Sequence, residues 1–297
     1  MKSYTTFPIA EEHQGLTVEV YLKQILRYSG RKIQKLTRQK GILLNRKNVF
    51  LQKKVKQGDI LRVLTLEDLS YGVEPEQGPV EVLYEDGYLI ILNKPSGLLV
   101  HPAGQTTQGT LSNYLAHYYQ QQGVICTIRP IHRLDRETSG CVVFAKDSHT
   151  QALLDKLLKD GSLKRSYQAI VTGIVDPPAG IINAPIGPHP TKPNQRAVNQ
   201  KGDPAITHYK TLRNFSEASL LELTLETGRT HQIRVHLAHS GHPIVGDRMY
   251  GKGSTLISGQ ALHAFSLHFT HPVEQREIAV EAPFPVIFLK VLQSYSS

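Results

Sequence analysis

Basic residues are concentrated at one end of this chain. Residues 1–62 carry fourteen Lys or Arg against four Asp or Glu, a surplus of ten, while the remaining residues carry 20 against 21. The whole formal excess of +9 in a chain of 297 residues therefore lies in its first fifth. That partition predicts a small, separate binding unit with a polyanionic partner, attached to a nearly neutral body long enough to bury a sizeable core of its own.

The elements of the first unit follow from apolar spacing. After a short irregular lead-in, Val18 to Tyr28 carries Val20, Leu22, Ile25 and Leu26 as a helical stripe, with Gly30 as its stop. Arg31 to Lys40 reads as a second helix, with Ile33 and Leu36 as a narrow seam and Arg31, Lys32, Lys35 and Arg38 on the basic remainder. Ile42 to Phe50 reads as strand and turn, and Val55 to Leu64 returns through Gly58-Asp59 into another strand. A basic helix alone is often no more than a solvated face, but ten net charges in one compact unit point to phosphate. Glu67 to Pro79 shows Gly, Pro and acid without periodicity and reads as a flexible linker. The expected division is 1–66, 67–79 and 80–297.

In the body, a hairpin turns at Asp86-Gly87 and ends at Lys94-Pro95-Ser96-Gly97. Helices are expected over 111–122, capped by Thr110, from a capping box at Ser148-His149-Thr150-Gln151 to Gly161, over 231–239 behind Thr230, and from Val286. Strands are expected over 141–146, 163–172, 220–225, 262–269 and 277–280. The stretch 163–172 alternates, which places Arg165, Tyr167, Ala169 and Val171 on one face. Residues 176–204 and 242–259 read as long loops, the first with at most a short hairpin.

Asp135 is the leading candidate for chemistry. It stands at a turn in Arg129-Pro130-Ile131-His132-Arg133-Leu134-Asp135-Arg136-Glu137-Thr138-Ser139-Gly140, between two arginines expected to favour its charged form. Taken alone, such an Asp is usually a turn former with surface partners. Cys126 and Cys141 are too few for a disulfide scaffold and suit a reducing compartment. No apolar run reaches the length of a membrane span and no secretory core precedes the body, so the expected location is the cytoplasm.

Three separated segments carry a resemblance. His132-Arg133-Leu134-Asp135 with Thr138-Ser139-Gly140, Arg165-Ser166-Tyr167-Gln168-Ala169, and Gly228-Arg229-Thr230-His231-Gln232-Ile233-Arg234-Val235-His236 resemble the three motifs of the RluA-type RNA pseudouridine synthases. Asn93-Lys94-Pro95-Ser96-Gly97, Val100-His101-Pro102, Leu262-His263-Ala264 and His271-Pro272 extend the likeness across residues 80–297. The first unit resembles the S4 RNA-binding domain, through two short helices, Leu44-Asn45 and Gly58-Asp59-Ile60-Leu61.

The resemblance implies an α+β protein with a largely antiparallel sheet behind an S4-like domain. It also implies an isomerase that breaks a uridine's glycosidic bond, turns the base and rejoins it through carbon. Asp135 then corresponds to the catalytic Asp, by attack on the nucleotide or by moving a sugar proton. Arg234 corresponds to its pairing Arg, Tyr167 to the Tyr that stacks on the base, and Arg133 to the Arg that fills the gap left by an extruded nucleotide. Lys94 is expected to touch the base or a phosphate, or to be a plain surface Lys. His132 is read as structural. The expected partner is RNA, ribosomal rather than transfer, bound by a monomer with no cofactor, no metal and no membrane.

Two rivals remain at this stage. The first is a metal hydrolase using His231, His236, His239 and His242, which lacks an evident third ligand. The second is a catalytically silent RNA-binding or ribosome-assembly factor of the same fold, to which a desolvated carboxylate would be of no use.

Overall fold

The computed structural model describes residues 4–26, 28, 30–64 and 70–296, without the side chain of Arg31. In the first unit β1 (Tyr4–Pro8), β2 (Ile42–Leu44), β3 (Lys47–Asn48) and β4 (Ile60–Leu64) form an antiparallel sheet in the order β1-β4-β2-β3. The lead-in expected to be irregular is thus a strand. Five residues are too few to show alternation, and β1 is defined by the edge of β4 that it covers, from Tyr4 opposite Leu64 to Pro8 opposite Ile60.

Thr17 caps α1 (Val18–Val20) by accepting from Val20 N–H, and the chain then widens into a π-helical turn over Tyr21–Ile25. Gly30 opens α2 (Gly30–Arg38) rather than closing the helix before it. Val18, Tyr21, Leu22, Ile33, Leu36, Leu61 and Val63 form a core belonging to this unit. The two pieces of the S4 resemblance touch each other. Asn45 donates to the Asp59 carboxylate at 2.7 Å and accepts from Ile60 N–H at 2.9 Å.

Residues 67–69 of the expected linker lie outside the described residues. Residues 70–79 are not free. Tyr71 accepts from Ile128 N–H, Glu74 from the Asn113 side chain, and the Glu76 carboxylate from Gly109 N–H, while Gly78 packs on the Tyr114 ring. Composition revealed the lack of periodicity but not these long-range acceptors.

The body is built on β5 (Glu81–Glu85), β6 (Leu89–Lys94), β7 (Arg129–Pro130), β8 (Ser139–Ala145), β9 (Lys164–Thr172), β10 (Ala179–Asn183), a side hairpin of β11 (Ile186–Pro188) and β12 (Arg196–Val198), β13 (Ile206–Asn214), β14 (Ala218–Leu225), β15 (Leu262–Thr270) and β16 (Glu277–Glu281). The main sheet runs β10-β13-β14-β9-β15-β8-β6-β5, with β7 on β8 and β16 on β15. Its pairings are antiparallel except β8 with β15. At that junction Gly140 has φ +109° and lies so close to β15 that a Cβ would stand 2.2 Å from the Ala264 carbonyl oxygen.

Alternation sorts the central strands between two cores. Ile90, Leu92, Val142 and Phe144 face one core, and Leu89, Ile91, Cys141 and Val143 face the other. The first is covered by α3 (Leu111–Gln121) and α6 (Val286–Ser296), and the second by α4 (Ser148–Lys159). α5 (Gln232–His239) lies beside the first core through Ile233 and Leu237. Such two-faced burial explains why these strands read as continuous apolar runs.

Local caps differ from expectation in two places. Asp147, not Ser148, caps α4, its carboxylate accepting from His149 and Thr150 N–H. Thr230 does not cap α5; instead Gln232 Oε1 accepts from Arg229 N–H and Thr227 Oγ1–H. The expected loop 176–204 holds β10 and the β11–β12 hairpin, and β13 follows it. In β13 polar residues fill most positions, so pairing rather than apolar pattern defines the strand.

Candidate active site

Strand β9 lies at the centre of the sheet, between β14 and β15, so Tyr167 is fixed in register opposite Leu223 and its side chain is buried. Asp135 stands on the turn before β8, which closes by Thr138 N–H to the Asp135 carbonyl. Arg234 projects from the first turn of α5. These three residues line one cleft of about 450 Å³, together with Arg133, Leu134, Arg165, Gly228, Ile233 and Leu262.

Within it the Arg234 Nη1 donates to Asp135 Oδ2 at 2.9 Å. The cation paired with Asp135 is therefore the one 99 residues away, not the flanking arginines that sequence proximity suggested. Arg133 and Arg136 point outward, both exposed. The Asp135 side chain keeps 24 % exposure while Arg234 keeps 8 %. Oδ2 is thus held by Arg234, and Oδ1 lies 4.0 Å from His231 Nε2.

Arg234 is itself held from behind. Its Nε and Nη2 donate to Asp247 Oδ2 and Oδ1 at 2.7 and 2.9 Å, a bidentate fork. Asp247 is buried, and Oδ1 also accepts from Met249 and Tyr250 N–H at 3.0 and 3.2 Å. Burial alone would lower the Arg234 pKa, but the carboxylates of Asp247 and Asp135 raise it. The guanidinium is a fixed charge between two carboxylates of which only Asp135 meets the cleft.

His231 completes the rim. It adopts φ +58°, outside the ordinary range for a residue with a Cβ, and this turns its Nε2 to 4.0 Å from Asp135 Oδ1. Its Nδ1 lies 2.8 Å from the Tyr250 hydroxyl, which accepts from Arg196 N–H at 2.9 Å. Burial lowers the His231 pKa and the Asp135 charge opposes it. Behind the base of the cleft Arg165 hydrogen-bonds Tyr167, whose phenol pKa burial raises, so the hydroxyl stays protonated.

Lys94 corrects the expectation that it contacts RNA. It is 0 % exposed, and its Nζ donates to the carbonyls of Pro95, Leu98 and Arg136 at 2.8, 2.7 and 2.8 Å. Burial pushes its pKa down to about 7 against the pull of Glu137 and Asp135. All three donors of the ammonium are spent on fastening the β6 end to the Asp135 turn, so none remains for a phosphate. His132 is buried against β8, where it accepts from Val143 N–H, and burial lowers its pKa to about 3, which fits a structural role.

The basic helix divides. Lys35 and Arg38 are exposed on α2, whereas Lys32 is half-buried over the Tyr28 ring, within the field of Asp147. The side chain of Arg31 lies outside the described residues.

The histidines expected to compete as metal ligands do not converge among the described residues. His236 spends Nδ1 on Thr207 and Nε2 on the Ala184 carbonyl, and His242 Nδ1 meets the Thr172 carbonyl. The one group with ligand spacing among the described residues is Asp86, His271 and Glu274. There His271 Nδ1 accepts from Val273 and Glu274 N–H, which places its proton on Nε2, 3.1 Å from Asp86. A neutral imidazole so arranged has no lone pair left for an ion.

Asp247 and Tyr250 escaped the sequence reading because they sit in 242–259, which read only as a loop. A signal did exist: a buried guanidinium has five donors, and one carboxylate facing a substrate cannot satisfy them.

The arrangement is a carboxylate paired with a fixed guanidinium, and a buried phenol ring, in one cleft with an exposed Arg at its mouth. The chain belongs to the RNA pseudouridylate synthase family, which it matches over residues 88–239, and whose members are isomerases acting on RNA. Residues 5–61 match the RluD ribosomal pseudouridine synthase N-terminal domain. An uncharacterized RNA pseudouridine synthase, YhcT of Bacillus subtilis, is 41 % identical over 97 % of this chain and 96 % of its own length. Ribosomal large subunit pseudouridine synthase D of Escherichia coli K12 is 36 % identical over 97 % of this chain and 93 % of its own. Among solved structures, human RNA pseudouridylate synthase domain containing 4 superposes with a TM-score of 0.60 at 25 % identity, covering 73 % of this chain and 93 % of that one.

Proposed function

We propose that this chain isomerises specific uridines of ribosomal RNA, with Asp135 as the carboxylate that acts on the nucleotide. The observation that carries the reading is the placement of Asp135, Arg234 and Tyr167 in one cleft, with Asp135 Oδ2 held by Arg234 at 2.9 Å. The relatives named for the ribosomal large subunit support ribosomal RNA as the substrate.

The roles are those the resemblance implies, and the geometry is compatible with them. A uridine stacked in folded RNA must leave its stack, which costs a few kcal/mol. Arg133, exposed at the mouth, can enter the gap, where its planar guanidinium stacks and hydrogen-bonds. The extruded base lies against the Tyr167 ring and displaces water from the cleft. Arg234 keeps Asp135 charged after that water has gone, since Asp247 holds the guanidinium in place. The free oxygen then acts on the sugar, by attack or by moving a proton, while the bond from C1′ to N1 breaks. The base turns, C1′ bonds to C5 as the carboxylate leaves the sugar or hands its proton back, and the proton lost from C5 balances the one gained at N1. Atoms balance without a co-reactant.

Residues 1–66 serve as the RNA-holding domain with exposed Lys35 and Arg38, residues 67–79 connect, and 80–297 carry the reaction. The protein works as a monomer in the cytoplasm. Among the described residues no helix is long and apolar enough to cross a membrane.

Asp135→Asn tests the reading. The variant is expected to bind ribosomal RNA as the parent does and to leave no pseudouridine when RNA from cells carrying it is mapped against RNA from parental cells. Undiminished product would refute the assignment. Loss of sites from transfer RNA alone would refute the ribosomal substrate.

A further inference from the structure

We infer that Phe50 is a stacking platform for an unpaired RNA base, displayed on a basic turn of the first unit. This rests on the reading of residues 1–66 as an RNA-holding domain and names a contact by which that domain grips its ligand.

Phe50 is 88 % exposed, whereas the other exposed large apolar side chains range from 37 to 71 %. A single exposed apolar residue needs no explanation, so the case depends on its surroundings. The ring forms one wall of a groove of about 600 Å³ whose other walls are Thr37, Lys40, Ile42, Asn48 and Val49. From Lys40 to Lys56 the chain holds six Lys or Arg and no Asp or Glu. Lys47 and Lys53 are exposed on either side of the ring in sequence. An apolar protein surface laid on Phe50 would bury ammonium groups without partners, whereas a nucleotide brings a flat apolar face and a phosphate for the neighbouring charges.

The turn that carries the ring is fixed. Lys53 N–H donates to the Phe50 carbonyl at 3.0 Å, and the start of α1 holds the turn from beneath, Val18 N–H to Lys53 and Glu19 N–H to Leu51, both at 2.9 Å. Val49 and Leu51 pack on the core of the unit, so alternation sends Phe50 outward. Because the backbone of the turn is fixed before binding, little backbone entropy is lost when a base stacks on the ring.

The chain contains no Trp, so Phe50→Trp would introduce the only indole of the protein. Its emission is expected to be quenched on titration with a single-stranded oligouridylate and with a ribosomal RNA fragment. In the full-length protein Phe50→Ala is expected to weaken binding of that fragment about five- to a hundredfold, the range for losing one stacked base. The slope of log affinity on log salt should not change, because no phosphate contact is removed. Phe50→Tyr should restore affinity. Lys35→Gln with Arg38→Gln serves as the comparison and should lower the salt slope. If that pair flattens the slope while Phe50→Ala binds as the parent and the indole is not quenched, stacking at Phe50 is refuted and the domain reading stands. If neither variant alters RNA binding, both are refuted.

Discussion

At the scale of single residues, Asp135 depends on a side chain that never meets the cleft. Asp247 satisfies two donors of Arg234 from behind and so decides which way the remaining Nη1 points. Asp247→Ala leaves a buried guanidinium with one partner, which is expected to cost about 3 kcal/mol. In a body of this size that corresponds to a fall in Tm of roughly 6–12 °C. Calorimetry of the parent and variant checks this, and an unchanged Tm would show the fork to be dispensable. Asp135, Tyr167 and Arg234 were singled out through the resemblance their short motifs carry, and the structure brings the three to one cleft. Lys94 was misread because a Lys following a strand looks like any surface Lys. Only the three carbonyls that turn toward it after folding reveal its task.

At the scale of elements, the site depends on how closely β8 approaches β15. Their parallel pairing brings Gly140 against Ala264, just beyond the turn that carries Asp135. Gly140→Ala would place a methyl group 2.2 Å from a backbone oxygen at φ +109°, and a loss of at least about 3 kcal/mol is expected. Gly161→Ala is the comparison, because at φ +79° its added methyl meets nothing within 4 Å and only the backbone term of about 1 kcal/mol remains. Equal denaturation midpoints for the two variants would contradict the steric argument. Helices with strong caps and apolar stripes, such as α3 behind Thr110, matched expectation to within a residue. Strands β1, β10 and β13 did not, because their positions are set by a neighbouring strand rather than by their own composition.

At the scale of the whole molecule, the histidines set a pH limit. Burial lowers His132 to about 3 and lowers His236 and His263 below the ordinary imidazole value. Below about pH 6.5 the unfolded chain binds protons at these rings more readily than the folded chain does, at His132 down to about pH 3. Acid therefore favours unfolding, and stability present above about pH 6.5 is lost as pH falls. Denaturant titrations at pH 7.5, 6 and 5 should show a steadily lower midpoint, and His132→Gln should flatten the trend at its acid end. A midpoint independent of pH over that range would contradict the neutral assignment of these rings. The first unit has a core of its own, separate from the two that flank the main sheet, and residues 70–79 bond to α3 and its flanks.

The amino-acid sequence by itself determined the chemistry on offer: which carboxylate, phenol and guanidinium stand in motifs, and where positive charge gathers. These are local properties, carried by residue type and short spacing. Tertiary structure decided how that pair is held. It joined Asp135 to Arg234, the partner the resemblance implied 99 residues away, gave Arg234 a second carboxylate, and withdrew Lys94 from solvent. The reason is that a buried charge takes whichever partner the packed sheet and helices bring within about 3 Å, and sequence distance does not enter that choice.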